Sequence, residues 1–171
     1  MNRDSVILLV EDNPDDLDLT LRAFHKNNIC NQIVVARDGQ EALDYLFAIS
    51  RGGDHVPAAL PGVVLLDLKL PKVDGVEVLR RLRADERTRR LPVVMFTSSN
   101  QEEDLIATYD LGANSFVRKP INFCDLVKAV GVLGMYWLLL NEPPPGSRPA
   151  GRSARSLPAP APAQRPGPPP A

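Results

Sequence analysis

Val63-Val64-Leu65-Leu66-Asp67-Leu68-Lys69-Leu70-Pro71 places four aliphatic residues in a row, two of them β-branched, immediately before an acidic one. Without helical spacing, such a run predicts a strand buried on both faces, as in the middle of a parallel sheet. Asp67 then emerges at the strand's C-terminal end. In an open α/β sheet that edge is where ligands bind, so the carboxylate is a site candidate on position alone. A lone strand-end Asp more often caps the following turn, and the rest of the chain decides between the two readings.

Outward toward the N-terminus, Ser5 to Val10 (SVILLV) is a second buried strand, and it too ends in acids, Glu11-Asp12. Asn13-Pro14-Asp15-Asp16 predicts a helix start, with an N-cap, a proline at the first helical position and carboxylates at the positive dipole end. Leu17, Leu21 and Phe24 give that helix its inner face. Ile33 to Ala36 reads as a third strand, and Asp38-Gly39-Gln40-Glu41 resembles a capping box opening a helix with Ala42, Leu43, Leu46 and Phe47 inside. Arg51 to Gly62 is a Gly/Pro loop whose His55, with no second ligand near it in sequence, reads as solvated.

Past the central strand, Pro71 to Gly75 turns into a helix with Val76, Leu79 and Leu82 inside and Arg80, Arg81 and Arg83 in solvent. Arg87, Arg89 and Arg90 read as a wet helix end rather than a phosphate site. Leu91 to Phe96 is a fourth strand closing on Thr97-Ser98-Ser99, so hydroxyls stand where the other strands carry carboxylates. Gln101 to Leu111 is a polar helix with a thin stripe of Leu105, Ile106 and Leu111, stopped by Gly112 and expected to be loosely held. Ser115 to Arg118 is a fifth strand ending in Lys119-Pro120. The last helix, from about Asn122 to Leu140, sets Phe123, Leu126, Val127, Val130, Leu133 and Trp137 on one broad face.

A chain of 171 residues with 44% hydrophobic and 24% charged residues suits one globular domain, expected over 1–142. From 143 to 171 the chain is mostly Pro, Ala, Gly, Ser and Arg, which predicts a disordered tail without a second domain. The net charge is -1, but Arg148, Arg152, Arg155 and Arg165 all lie in that tail, so the body is the acidic part and argues against a nucleic-acid surface. Cys30 and Cys124 read as small buried hydrophobes in a reducing compartment. No signal-peptide pattern precedes Glu11-Asp12, and Met135 to Leu140 is too short to span a bilayer. A cytoplasmic protein without a membrane segment is expected.

Five strand-helix alternations imply an α/β, doubly wound, five-stranded parallel sheet with every strand's C-terminus along one edge. That edge gathers Glu11, Asp12, Asp67, Thr97 and Lys119. Three carboxylates in one cleft repel one another unless a divalent cation joins them, and an oxygen-rich site that keeps waters suits Mg²⁺. With that cation, an ammonium and a hydroxyl around it, Asp67 is placed to act as a nucleophile toward a phosphoryl group. Singly, each residue has a plainer role: Glu11 and Asp12 could cap a helix, Thr97 end a strand, Lys119 be solvated.

Residues Ser5 to Leu140 resemble the receiver domain of bacterial two-component response regulators. The resemblance is carried by Glu11-Asp12, Asp67, Thr97-Ser98 and Lys119-Pro120, in order and each at its strand end, with Leu70-Pro71, Asp74-Gly75 and Leu111-Gly112-Ala113 in support. Val10 to Asp16, Asp38 to Leu43, the 51–62 loop and Tyr136-Trp137-Leu138 are similar to the single-domain regulators that partner phytochrome-type histidine kinases. The resemblance implies a flavodoxin-like fold with strand order 2-1-3-4-5 and five helices, and Asp67 as phosphoacceptor. It further implies Mg²⁺ held by Asp12, Asp67 and the Lys69 carbonyl, with Glu11 acting through a water.

Lys119 and Thr97 would then contact the phosphoryl oxygens, and phosphorylation would draw Thr97 toward Asp67 and let Phe116 turn inward as the switch aromatic. A cis Lys119-Pro120 bond is also implied, and the apolar surplus on the last helix, including Tyr136, Trp137 and Leu139, predicts a homodimer through the fourth helix, fifth strand and fifth helix. Signalling would run from a histidine kinase to a downstream protein that the sequence does not name. Lys69 departs from the family pattern by placing a long cationic side chain beside the acceptor. Two competitors are a Mg²⁺-dependent aspartyl phosphatase, which would need an acid where Lys69 stands, and a pseudo-receiver that binds partners without phosphorylation.

Overall fold

A computed structural model describes residues 5–51 and 60–142 of the chain. The expected tail from 143 onward, and His55 with most of its loop, lie outside the described residues. The elements follow one another as β1 (Ile7–Val10), α1 (Pro14–Lys26), β2 (Ile33–Ala36), α2 (Gly39–Arg51), β3 (Val63–Leu66), α3 (Gly75–Ala84), β4 (Val93–Thr97), α4 (Glu102–Asp110), β5 (Ser115–Arg118) and α5 (Phe123–Met135). The five strands are parallel in the order β2-β1-β3-β4-β5, the doubly wound arrangement that the alternation predicts. Parallel neighbours need a crossover, and α1 to α4 each supply one, which together with α5 after β5 coat both faces of the sheet.

Strand periodicity of two then splits the core. Leu8, Val10, Val64, Leu66, Val93 and Met95 face one way, toward Leu43, Leu46, Leu79 and Leu82 of α2 and α3. Ile7, Leu9, Val63, Leu65, Val94 and Phe96 face the other, toward Leu17 and Phe24 of α1 and Leu126 and Val130 of α5. All four residues of β1, all four of β3 and all five of β4 are buried, so the reading of Val63 to Leu66 as a strand enclosed on both sides holds. Each such aliphatic side chain contributes roughly 1.5–3 kcal/mol by leaving water.

Helix starts follow the side chains expected to cap them. Asn13 Oδ1 accepts from the Asp15 and Asp16 N–H groups, Asp74 from Glu77 N–H and Asn122 from Asp125 N–H. Asp38 accepts from Glu41 N–H, while the Glu41 carboxylate reaches back to Arg37 N–H. The last helix departs from the single α-helix expected to Leu140. After Met135 it widens into a π-helical turn, Tyr136–Leu140, closed by Asn141 N–H donating to the Tyr136 carbonyl at 2.8 Å.

Four other expectations are corrected. Both thiols are exposed rather than buried: Cys30 lies in the α1–β2 connection, and Cys124, second residue of α5, sits off the stripe of Leu126, Val130 and Leu133 that meets the sheet. Arg83 does not reach into solvent like Arg80 and Arg81, which pair with Glu77. Its guanidinium donates to the carbonyls of Gly112 and Leu91 and to Asn114 Oδ1, tying α3 to the chain on both sides of β4 and α4, and burial draws its pKa down. The Lys119–Pro120 bond is trans, the ordinary isomer even before proline. The apolar stretch at the C-terminal end is also longer than Met135 to Leu140: Phe123–Leu140, with mean hydropathy 1.7, is a helix long and apolar enough to cross a membrane by length and composition. In this fold one side of it packs on the sheet and on α1, where Asn27 Nδ2 donates to the Val127 carbonyl at 2.8 Å.

Candidate functional site

Register builds the site. Val10 and Leu66 are cross-strand partners in β1 and β3, so the residues that follow them, Glu11 and Asp67, leave the sheet side by side. Asp67 N–H donates to the Val10 carbonyl and Glu11 N–H to the Ala36 carbonyl, which fixes both backbones at this edge. On the other flank Lys119 N–H donates to the Thr97 carbonyl, placing the ends of β4 and β5 together. Helix α1 begins four residues beyond β1, so its first turn faces the same edge.

The side chains converge accordingly. Lys119 Nζ pairs with Asp67 Oδ2 at 2.7 Å, with Glu11 Oε2 in a shorter contact and with Asp16 Oδ2 at 3.4 Å. Asp67 Oδ1 accepts from Leu68 N–H at 2.6 Å and weakly from Lys69 N–H at 3.4 Å. Carboxylate oxygens of Glu11, Asp12 and Asp67 lie within 4.8 Å of one another, with Glu11 and Asp67 buried and Asp12 exposed at the mouth. Burial pushes the Glu11 pKa up, and Lys119 only partly counters it. For Lys119, burial pulls the pKa down, but the attraction of Asp67 and Glu11 outweighs it and the net shift is upward, so the ammonium stays charged.

This donor set fits a hard divalent cation. Of its three carboxylates only Glu11 and Asp67 pair with the Lys119 ammonium, their oxygens are hard donors, and the exposed Asp12 leaves room for water ligands, which Mg²⁺ retains. Thr97 is fully buried at the end of β4, its Oγ1 accepting from Ser99 N–H at 3.2 Å. Phe116 stands opposite Met95 in β5, half-buried against the core layer of α2 and α3.

Some contributors were not evident in sequence. Asp16 reads there as an ordinary first-turn acid, and only the shortness of the link from Glu11 to Pro14 hints that it shares the edge. Lys69 reaches away from Asp67 to α4, where its Nζ pairs with Asp104 Oδ2 at 3.2 Å and approaches Gln101 Oε1 at 3.5 Å. Lys72 adopts a left-handed backbone (φ 64) and its Nζ meets Asp38 Oδ2 at 2.5 Å, joining the β3–α3 turn to the start of α2.

Gly75 holds the loop that follows Asp67 from behind. A Cβ there would lie 2.1 Å from the backbone oxygen of Asp67, a contact that no side-chain rotation relieves. Gly75 N–H also donates to the Leu68 carbonyl at 2.9 Å. Gly75→Ala is expected to lower stability by about 1–3 kcal/mol, as overpacking does, and to displace Asp67. Urea unfolding of the variant, followed by its Mg²⁺ affinity, measures both.

A five-stranded 2-1-3-4-5 sheet with two acids, a further Asp, a Thr and a Lys at the ends of β1, β3, β4 and β5 defines a response regulator receiver. The chain belongs to the response regulator receiver domain family, whose profile matches residues 7–131. Receivers are signalling modules rather than enzymes in the ordinary sense.

The chain is 45% identical over 139 residues to the probable methanogenesis regulatory protein FilR2 of Methanothrix harundinacea, covering 81% of this chain and 87% of that one. It is 37% identical over 137 residues to response regulator Rcp1 of Synechocystis, covering 80% and 91%. The crystal structure of Mn²⁺-bound Rcp1 superposes with a TM-score of 0.71 at 36% identity over 82% of this chain and 99% of that one. The bacteriophytochrome response regulator AtBRR is 54% identical over 81% and 99%, with a TM-score of 0.64.

Proposed function

We propose that this receiver accepts a phosphoryl group on Asp67 from the phosphohistidine of a phytochrome-type histidine kinase and passes the signal on by protein contact. The observation that carries the reading is the Asp67 carboxylate itself, buried between the Lys119 ammonium and the Leu68 N–H with two further acids beside it. An oxygen of Asp67 attacks phosphorus, the P–N bond to the kinase imidazole breaks, and the released imidazole recovers its proton from water. Asp12, Asp67 and the Lys69 carbonyl would hold Mg²⁺, with Glu11 reaching it through water. The bound ion offsets the negative charge that phosphoryl transfer brings into the cleft.

The protein's own part is to position. Lys119 faces the incoming phosphoryl oxygens, Thr97 supplies a hydroxyl to one of them, and Phe116 turns inward as Thr97 moves. The kinase class is supported by similar structures, several of them phytochrome response regulators. A cytoplasmic setting accords with this role. Incubation with Mg²⁺ and a small phosphodonor should add one phosphoryl mass, lost in alkali as an acyl phosphate is. Radiolabel should move to the protein from an autophosphorylated phytochrome-type kinase. Failure of the first experiment sinks the acceptor reading; failure of the second alone removes only the kinase class.

Output by contact is supported by the apolar surface at the β5 edge. Val132 on α5 and Tyr136 and Leu140 in the π-helical turn that follows it stand exposed, as do Ile106 and Tyr109 on α4. A second copy pairing through α4, β5 and α5 would cover them. Val132→Glu with Leu140→Glu is expected to convert dimer to monomer with no loss of phosphoryl uptake, as read by light scattering at matched concentration.

A further inference from the structure

Helix α4 is the least anchored helix of the fold: Thr108 is its one buried residue, Ile106 and Tyr109 face solvent, and Gln101 at its N-cap makes no side-chain cap bond. Its first turn is nonetheless tied to the phosphorylation site at one atom. Asp104 Oδ2 pairs with Lys69 Nζ at 3.2 Å and accepts from Ser99 Oγ at 2.8 Å. Ser99 N–H in turn donates to Thr97 Oγ1 at 3.2 Å. Asp67, Lys69, Asp104, Ser99 and Thr97 therefore form a chain of contacts that leaves the acceptor along its own loop and ends at the hydroxyl on the neighbouring strand.

From this chain of contacts we infer that Lys69 is a strap, a positioning residue that holds α4 and the Thr97 hydroxyl in the unphosphorylated arrangement and is drawn off Asp104 when Asp67 carries phosphate. The strap acts only if Asp67 is the acceptor proposed above. A phosphoryl group raises the local charge from one negative to about two and sits two residues from Lys69 along the chain, whereas Asp104 offers a single carboxylate. The same group offers oxygens to the Thr97 hydroxyl. Lys69 and Thr97, at the two ends of the chain of contacts, are thus pulled toward Asp67 together, and Asp104 and Ser99, left between them, release the first turn of α4. Without the strap, phosphorylation would have to move α4 through Thr97 alone.

The test is a double-mutant cycle on beryllofluoride affinity in Mg²⁺, with Asp104→Asn, Lys69→Gln and the double variant. Removing the Asp104 charge frees Lys69 for the phosphoryl mimic, so D104N is expected to bind it about two- to fivefold tighter, the scale of a partly exposed ion pair. In the K69Q background the same change should have no effect. An equal gain in both backgrounds, or none in either, overturns the strap while leaving the acceptor reading intact. No beryllofluoride binding by the unaltered protein overturns both. If D104N does not fold, K69Q alone decides, since Lys69 is exposed: α4 amides should exchange several-fold faster without any phosphodonor, and unchanged exchange refutes the strap.

Discussion

Asp67→Asn is expected to take up no phosphoryl group from either a small donor or a kinase, at any Mg²⁺ concentration. The amide is the same size and its oxygen can still accept the Leu68 N–H, but it cannot form an acyl phosphate. The variant should remain folded, because the charges it disturbs nearly balance. At an effective dielectric of 20, each repulsion between Asp67 and an acid within 4.8 Å is worth at least about 3.5 kcal/mol, and two acids stand that close. The attraction to Lys119 at 2.7 Å is worth about 6 kcal/mol on the same scale. Stability should therefore shift by no more than about 1–2 kcal/mol, read by urea unfolding beside the mass-spectrometric uptake assay. A phosphorylated D67N protein would move the acceptor elsewhere, and with it the reading of the whole edge.

Lys119→Ala removes the cation that three carboxylates share, and its cost should depend on conditions in a way that identifies the cause. Losing one partner of a buried ion pair typically costs about 3–5 kcal/mol, and Lys119 and Glu11 are both almost completely buried. Two substitutes can limit the loss: a proton on Glu11, whose pKa burial already raises, and a divalent ion. For a carboxyl whose folded pKa stands above its unfolded value, the native state holds more protons between the two, so stability falls as pH rises through the folded pKa. The variant should thus be most impaired at alkaline pH without metal, and be partly restored by acid or by millimolar Mg²⁺. Equal destabilisation at every pH and Mg²⁺ concentration would show that Lys119 matters through packing alone.

The elements that made the fold readable were those whose pattern is local. A continuous aliphatic run before Asp67, another before Glu11-Asp12, and capping residues at Asn13 and Asp38 each state their own structure within a few positions, and the parallel topology then follows from alternation. The strand ends carried most of the site for the same reason, since topology alone gathers them. What escaped depends on side chains that travel. Lys69 crosses to α4 and Arg83 inserts between carbonyls of Leu91 and Gly112, and both look in sequence like any solvated cation. Cys30 and Cys124 failed in the opposite sense, because a small apolar residue type says nothing about which side of a helix or loop it occupies.

Strand β1, Ile7–Val10, is enclosed by apolar side chains above and below. A strand with no greasy-polar alternation has nothing in its middle to fix its alignment, and sliding it by one position would exchange one aliphatic contact for another at small cost. The slide would, however, carry Glu11 out of reach of Lys119 and leave a carboxylate stranded among hydrocarbons. The charged residues just past the strand therefore act as its end stop. Any redesign that neutralises them to quieten signalling also loosens the part that keeps the sheet in step.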